Sequence, residues 1–283
     1  MSVAADADHF AAVGGLALRR RRWGGARSDR VVALVHGFAE HSGRYDAVAR
    51  RLVARGFRVH AYDQRGHGES EGPRNHAASF ELLLDDLERF LALVRREEGS
   101  RPIALVGHSM GGLETIRLVA ERAPDVAVAV ASGPALALGS GVSSWRMGLA
   151  RMLSAVAPRL PLPTGLPASG LSRDPEVVRA YQNDPLISTV ATARFAAELL
   201  RASGLGMSAA TRLSRPLLIV HGEADPLCDV AGSREFARLA GDRVELRTYP
   251  GLLHEVLNEP EGPAVLDDIA GWIERRVPAA SAA

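Results

Sequence analysis

Short runs of apolar residues alternate along the chain with longer stretches in which apolar residues recur every three or four positions. The short runs are continuous and rich in valine, as in strands buried on both faces of a parallel sheet. They predict strands at Val31–Val35, Phe57–Tyr62, Ile103–Val106, Val126–Ala131, Leu217–Val220 and Val244–Thr248. The periodic stretches predict helices at Tyr45–Ala54, Ser79–Arg96, Met110–Glu121, Gly232–Leu239 and Pro263–Arg275. This alternation indicates an α/β fold with a mostly parallel central sheet flanked by helices.

Two segments interrupt the alternation. Residues 13–32 predict an antiparallel hairpin at the sheet edge, and their run Arg19–Arg22 is interpreted as a solvated face, with a phosphate-binding patch as the alternative. The stretch between the fourth and fifth predicted strands is far longer than one crossover helix requires. We interpret residues 134–208 as a helical cap inserted into a core formed by residues 1–133 and 209–283.

Composition is that of an ordinary globular protein, since 47% of the 283 residues are hydrophobic and 24% are charged. The net charge of +1 argues against nucleic acid as a partner, which would require a strong basic surplus. The chain contains no lysine, which excludes Schiff-base and Ser-Lys chemistry. Cys228 is the single cysteine, so no intrachain disulfide can form.

We expect a cytoplasmic protein that can touch a membrane surface. The N-terminal segment, MSVAADADHF, is acidic and lacks the apolar core of a signal peptide. The longest mostly apolar run, residues 126–138, is interrupted by glycine and proline and is too short to cross a bilayer.

Ser109 lies between a predicted strand and a predicted helix in the pattern G-x-S-x-G, which runs from Gly107 to Gly111. In this context the serine stands on a tight, strained turn at the carboxyl edge of the sheet. The glycines let strand and helix pack closely, and the helix directs N–H groups toward a developing oxyanion. The pattern predicts that Ser109 is a nucleophile.

A serine nucleophile needs a base, and the base needs a group that orients it. Asp225 follows a predicted strand in HGEADPLCD, and His254 follows the next strand in YPGLLHEVLNEP. The order serine, acid, histidine is the order of α/β-hydrolases. His254 is the only histidine after Asp225, whereas the rival acid Asp229 lies farther from the strand end.

Two backbone N–H groups are expected to form the oxyanion hole. One belongs to Met110, directly after the nucleophile, and the other to Phe38 in the loop after the first parallel strand. His36, His108 and His221 are interpreted as structural, hydrogen-bonded residues.

Other chemistries are excluded by residue type. Dehalogenases and epoxide hydrolases of this architecture need aspartate where this chain has Ser109. The sequence has no H-E-x-x-H motif and no cluster of ligands at metal spacing, and no G-x-G-x-x-G opens a βαβ unit. We therefore expect neither a metal nor a dinucleotide, and no cofactor at all.

Six segments together resemble the monoacylglycerol lipase and lysophospholipase group of α/β-hydrolases, also described as serine aminopeptidase S33 or hydrolase-4 type. They are VHGFAEHSGRY, AYDQRGHGESEG, GHSMGG, YQNDPL, HGEADPLCD and YPGLLHEVLNEP, and they span nearly the whole chain in the family's order. The first segment is more specific than the elbow and points to monoacylglycerol lipases over generic esterases. The chain departs from it at Ala39, where the family usually has glycine.

The resemblance implies the same triad and the same oxyanion donors. It further implies that Glu40, Arg44 and Tyr181 lie near the alcohol end of the substrate. The alternatives are a mutual ion pair for Glu40 and Arg44, and a packed cap residue for Tyr181. Cys228 matches a cysteine that is frequent in the family and is interpreted as a small packing residue near the site.

One helical stripe of the cap bears on the substrate. It consists of Trp145, Leu149, Met152 and Val156, with Leu153 beside it. The stripe either packs over the core and walls an acyl tunnel, or partly faces outward and docks on lipid. Both interpretations suit a long-chain acyl ester.

The resulting hypothesis is a serine hydrolase that cleaves monoacylglycerol to a fatty acid and glycerol through an acyl-enzyme. A lysophospholipase, a broad carboxylesterase, an acyltransferase and a non-catalytic binding protein on a hydrolase fold are the alternatives. The expected partner is a small lipid ester. The sequence does not decide whether the cap contacts a membrane peripherally or whether the chain forms a homodimer.

Overall fold

The computed structural model describes residues 5–25, 28–139 and 144–277. Its strands are β1 (Asp6–Ala11), β2 (Ala17–Trp23), β3 (Arg30–Val35), β4 (Phe57–Tyr62), β5 (Ile103–His108), β6 (Val128–Ser132), β7 (Pro161–Pro163), β8 (Val190–Thr192), β9 (Leu217–Gly222) and β10 (Val244–Tyr249). Eight of them form one sheet in the order β1-β2-β4-β3-β5-β6-β9-β10. β2 is antiparallel to both β1 and β4, and all other neighbours in this sheet are parallel.

The helices are α1 (Asp46–Ala54), α2 (Glu81–Glu98), α3 (Met110–Glu121), α4 (Ser144–Val156), α5 (Pro175–Asn183), α6 (Ala193–Ser208), α7 (Val230–Ala240) and α8 (Gly262–Arg276). The sheet separates two hydrophobic cores, one packed by α2, α3 and α7 and the other by α1 and α8. No described helix combines the length and the apolar character needed to cross a bilayer.

The predicted fold class is confirmed. All six predicted parallel strands and all five predicted helices are present, with ends that differ by no more than two residues. The antiparallel hairpin lies at the predicted edge, but its first strand, β1, precedes the segment that was expected to form it.

The prediction that Arg19–Arg22 form a solvated face is wrong. These residues lie on β2, which is flanked by β1 and β4 and is therefore internal to the sheet. Every arginine of the run pairs with carboxylates of neighbouring segments, and Arg20, held by Asp8 and Glu97, is only 2% exposed. With their charges compensated, these arginines offer no unpaired cation to a phosphate.

A long segment separates the adjacent strands β6 and β9. We call residues 133–216 the β6–β9 insertion; it contains α4, α5, α6 and the two-stranded sheet β7–β8. Helix α6 packs against α4 and against α3 of the core.

The parallel strands end along one edge of the sheet. Val35 pairs with Gly107, His108 with Ser132, and Gly222 with Tyr249. Because the carboxyl ends of β3, β5, β9 and β10 share this edge, the loops that follow them meet there.

Candidate active site

Ser109 occupies a sharp turn between β5 and α3. Strand passes into helix through this single residue, whose φ and ψ are 53° and −112°. A positive φ is rare for a residue with a side chain and is tolerated where the surroundings fix the turn. The turn places Ser109 in the wall of a cavity.

Two glycines make that turn sterically possible. A Cβ at Gly107 would collide with the backbone of Gly111, and a Cβ at Gly111 would collide with the carbonyl of Val35. The loop after β3 also approaches closely, since a Cβ at Gly37 would lie 3.2 Å from Ser109 Cβ. The loops after β3 and β5 therefore touch at the serine.

His254 and Asp225 meet directly. His254 Nδ1 lies 2.7 Å from Asp225 Oδ2, and His221 Nε2 lies 3.1 Å from the same oxygen. The backbone N–H groups of Leu227 and Cys228 donate to Asp225 Oδ1 at 2.8 and 2.9 Å. The carboxylate is thus fixed on all sides. His221, expected only to be structural, contacts the acid itself.

The rival acid has a different role. Asp229 is the N-cap of α7, where its carboxylate accepts a hydrogen bond from the N–H of Ala231 at 2.8 Å. Capping satisfies one of the free N–H groups of the first helical turn.

The electrostatics favour an ionised Asp225 beside a basic histidine. Burial raises the pKa of Asp225, but His254, His221 and the N–H of Cys228 outweigh burial and lower it. Burial also lowers the pKa of His254, but Asp225, followed by Glu255 and Glu40, raises it above its ordinary value of 6.5. His254 is therefore a stronger base than a free imidazole.

Phe38 and Met110, the predicted oxyanion donors, both line the cavity with Ser109. Met110 begins α3, where N–H groups have no acceptor within the helix. His36 fixes the loop of Phe38, because its Nε2 accepts from the N–H of Gln64 at 2.9 Å and its Nδ1 lies 2.7 Å from the carbonyl of Gly37. His36 is thus hydrogen-bonded, as predicted.

Ala39 follows in the same loop with a φ of 63°. Glycine adopts this conformation without a steric penalty, whereas a Cβ costs about 1 kcal/mol or more. The departure from the family motif at this position therefore stores strain beside the site.

The cavity that contains Ser109 and His254 has a volume of about 430 Å³. Most of its wall is apolar and comes from the β6–β9 insertion. The apolar lining residues include Leu138, Leu149, Leu162, Leu166, Leu171, Leu199 and Leu200. Leu149 of α4 is also 36% exposed, so this side chain contributes both to the cavity wall and to the surface.

One end of the cavity is polar. Arg44 Nη1 lies 2.6 Å from Glu40 Oε2 and 2.6 Å from Glu255 Oε1, and Arg44 Nη2 lies 2.8 Å from Glu255 Oε2. The guanidinium also sits 4.9 Å from the centre of the Tyr181 ring. Burial raises the pKa of Glu40, but Arg44, His108, His36 and the hydroxyl of Tyr45 together outweigh burial and lower the pKa to about 2.

Glu40 and Arg44 form the mutual ion pair that was one of the two interpretations, and both line the cavity with Tyr181. The part of Glu255 in this cluster was not predicted from the sequence. Its only signal was its position, directly after His254.

The β6–β9 insertion supports the loop that carries His254. The backbone N–H of His254 donates to the carbonyl of Gly170 at 3.3 Å, and that of Glu255 donates to the carbonyl of Leu171 at 2.8 Å. The loop therefore rests on the insertion through its main chain.

Glu259 strengthens the same junction. Its Oε1 accepts from the N–H of Leu253 at 2.7 Å, and its Oε2 accepts from the N–H and Nε of Arg173 at 3.0 and 3.1 Å. Its side chain has no exposed surface. One buried carboxylate thus joins the histidine loop to the insertion.

Cys228 is buried, and its thiol is within hydrogen-bonding reach of Ser109. Burial, followed by the charge of Asp225, raises the pKa of the thiol. Asp225, Cys228 and His254 are close enough together to hold a metal ion. However, a neutral thiol is a poor ligand, and Asp225 already has a full set of donors.

A second cluster with metal-ligand spacing, His60, Glu97 and Glu98, lies away from the cavity. Its carboxylates are paired with arginines, whose positive charge opposes a cation. The pairing residues are Arg20, Arg22, Arg58 and Arg101.

Comparisons with known proteins agree with this geometry. The profile of the family described as "Serine aminopeptidase, S33" matches residues 26–261. The monoacylglycerol lipase of Mycolicibacterium smegmatis is 42% identical over 93% of this chain and 95% of its own length. The human monoglyceride lipase is 33% identical over 98% of this chain and 93% of its own length. The crystal structure of the Paleococcus ferrophilus monoacylglycerol lipase superposes with a TM-score of 0.83 and 32% identity, covering 92% of this chain and 99% of that one.

Proposed function

Because the chain belongs to the serine aminopeptidase S33 family of α/β-hydrolases, we propose that it is a serine hydrolase that cleaves monoacylglycerols to a fatty acid and glycerol. One observation carries this proposal: the cavity beside Ser109 is apolar along most of its wall and polar at one end. This division fits an ester with a long acyl chain and a small hydroxylated alcohol. The names of the similar lipases point to the same substrate.

In the proposed mechanism, Ser109 Oγ attacks the ester carbonyl carbon while His254 Nε2 accepts the serine proton. Asp225 holds His254 Nδ1 at 2.7 Å, which selects the tautomer and stabilises the imidazolium. The N–H groups of Phe38 and Met110 stabilise the oxyanion.

The tetrahedral intermediate collapses when His254 returns the proton to the glycerol oxygen, and the alcohol leaves. A water molecule then gives its proton to His254 and attacks the acyl-enzyme. Collapse of the second intermediate releases the fatty acid and restores Ser109. The cycle requires no cofactor.

In this proposal Glu40, Arg44 and Tyr181 surround the alcohol. Arg44 is fixed by two carboxylates, so its orientation does not depend on the substrate. A preorganised donor spends less conformational entropy when it binds a hydroxyl group.

We further propose that residues 134–208 act as a cap whose leucines surround the acyl chain. An apolar wall gains about 0.8 kcal/mol for each buried CH₂ group. Met152 and Val156, on the same helix as Leu149, are 61% and 77% exposed. We infer that this face contacts the membrane surface from which the substrate is taken, in keeping with a cytoplasmic protein that binds membranes peripherally.

Fatty-acid release from monoolein, lysophosphatidylcholine, triolein and a short aryl ester tests this proposal. The wild type is expected to prefer monoolein. Ser109→Ala should lower the rate on every substrate by at least ~10³-fold, because it removes the nucleophile. Intact mass spectrometry with a fluorophosphonate probe should show one adduct in the wild type and none in the variant.

A near-normal rate in Ser109→Ala would contradict the mechanism. Faster turnover of lysophosphatidylcholine, or hydrolysis of the aryl ester alone, would contradict the assigned substrate but leave the triad in place. If added alcohols diverted the acyl group from water, acyl transfer would replace hydrolysis.

A further inference from the structure

The polar end of the cavity has an excess of negative charge. Of the described residues that line the cavity, Arg44 alone carries a permanent positive charge, whereas Glu40 and Glu255 are both carboxylates. His108 adds no charge near neutral pH, because burial, reinforced by His254, lowers its pKa to about 4.

Glu255 holds Arg44 in a bidentate ion pair. Its two oxygens lie 2.6 and 2.8 Å from the two terminal nitrogens of the guanidinium. Asn258 Nδ2 donates to Glu255 Oε2 at 2.8 Å, and the side chain of Glu255 is only 4% exposed. The paired N–H groups are those with which arginine recognises a phosphate. Glu255 therefore occupies the place that an anionic group would take.

Glu40 also binds groups other than Arg44. Its Oε1 accepts from the N–H of Gly37 at 2.6 Å and from the hydroxyl of Tyr45 at 2.7 Å. It thereby holds the loop that contains Phe38. Glu255 has no such role in that loop, so its charge can be altered with less effect on the oxyanion hole.

We propose that Glu255 is a specificity-determining residue that excludes esters with an anionic headgroup and admits those with an uncharged, hydroxylated one. The inference rests on the proposed function, since it assumes that the alcohol occupies the polar end. A phosphate placed there would face two carboxylates and no unpaired cation, and such like-charge contact is strongly unfavourable. A hydroxyl group meets no such repulsion.

Two substrates isolate this effect. 1-Oleoylglycerol and 1-oleoylglycerol 3-phosphate share the ester and the acyl chain and differ in the phosphate on the leaving alcohol. We would measure kcat/KM for both in uncharged detergent micelles, on the pH plateau, for the wild type and Glu255→Gln. Relative to the wild type, Glu255→Gln should raise the ratio of kcat/KM for the phosphate ester to kcat/KM for the uncharged ester by about tenfold or more. The reason is that the substitution removes one negative charge within contact distance of the phosphate.

Two further variants serve as controls. Glu235→Gln makes the same chemical change at an exposed carboxylate of α7 and should leave the ratio unaltered. Arg44→Gln removes the cation and should lower the ratio. Hydrolysis of p-nitrophenyl hexanoate and the unfolding temperature report that each variant is folded and active.

An unchanged or lower ratio in Glu255→Gln would overturn the inference, as would equal turnover of both esters by the wild type. Failure of the wild type to hydrolyse 1-oleoylglycerol would instead contradict the proposed function. The rate of Glu255→Gln on the phosphate ester relative to the wild type would still decide the role of Glu255.

Discussion

At the scale of single residues, the proposed mechanism makes the rate depend on the protonation of His254, and the charges around this residue set its pKa. Asp225, Glu255 and Glu40 together outweigh the effect of burial and raise the pKa of the imidazole. A general base acts only in its neutral form. A raised pKa therefore shifts the onset of activity toward higher pH.

For the wild type, we expect kcat/KM on a soluble ester to rise with pH through a midpoint above 6.5, the ordinary pKa of histidine. Asp225→Asn removes the main charge that offsets burial, so this midpoint should move to lower pH. The rate should also fall by about 10⁴-fold, because the amide favours the wrong tautomer. A pH–rate profile of both proteins measures each effect. A wild-type midpoint below 6.5 would contradict the electrostatic argument.

Residues in local motifs were predictable from the sequence, whereas residues defined by distant contacts were not. Ser109, Asp225 and His254 follow strands in a recognisable order, and the structure brings Asp225 and His254 into contact and all of their loops to one edge. Glu255 depends on Arg44, which is 211 positions away in the chain. No periodicity or spacing links two such positions.

At the scale of elements, a short part of the β6–β9 insertion supports the histidine loop. Residues 170–173 exchange hydrogen bonds with residues 253–259. Glu259 joins the two segments, because it accepts from Leu253 and from Arg173. The placement of His254 therefore depends on the insertion as well as on β10.

Glu259→Ala should lower the free energy of unfolding by about 1–3 kcal/mol, because it leaves the partly buried N–H of Leu253 without its acceptor and breaks the buried end of the pair with Arg173. The value of kcat should fall as His254 loses its support. Glu261→Ala is a matched control, since Glu261 also pairs with Arg173 but is 51% exposed. Glu261→Ala should lower the free energy of unfolding by less than about 0.5 kcal/mol.

Urea denaturation and soluble-ester kinetics measure both quantities. Equal effects of the two substitutions would show that Glu259 has no special role at the junction.

The continuous apolar runs predicted the parallel elements because burial on both faces leaves a strong signal. The edge of the sheet was harder to predict. Strand β1 has alternating polarity and few apolar residues, and the carboxylates that pair with β2 come from β1, α2 and loops. Whether Arg19–Arg22 face solvent depends on which strands flank β2. Strand order results from contacts between distant parts of the chain, so the local sequence does not reveal it.

At the scale of the whole molecule, the predicted apolar stripe of α4 lies in two different environments. Leu149 lines the cavity, whereas Met152 and Val156 are exposed. Leu153 is half-buried, and the side chain of Trp145 lies outside the described residues. The same helix thus contributes to the wall of the cavity and to an exposed apolar face.

The double substitution Met152→Ser and Val156→Ser should reduce binding to phospholipid vesicles and the hydrolysis of vesicle-borne monoolein by about tenfold, through loss of apolar contact with the membrane. Hydrolysis of a soluble short ester should not change. Leu239→Ser, at a 38%-exposed position of α7, is the control.

Vesicle flotation and fatty-acid release measure these effects. Equal losses on soluble and vesicle-borne esters would assign the two side chains to cap packing.

The main-chain bonds from His254 and Glu255 to Gly170 and Leu171 bear on how such enzymes can be re-engineered. A chimera that exchanged the whole insertion for that of a relative would replace the backbone acceptors of the histidine loop along with the apolar wall of the cavity. A chimera should therefore keep residues 168–174 of this chain and exchange only the parts of the insertion before and after them. The boundary of the transferable module thus follows hydrogen bonds and not the ends of the insertion.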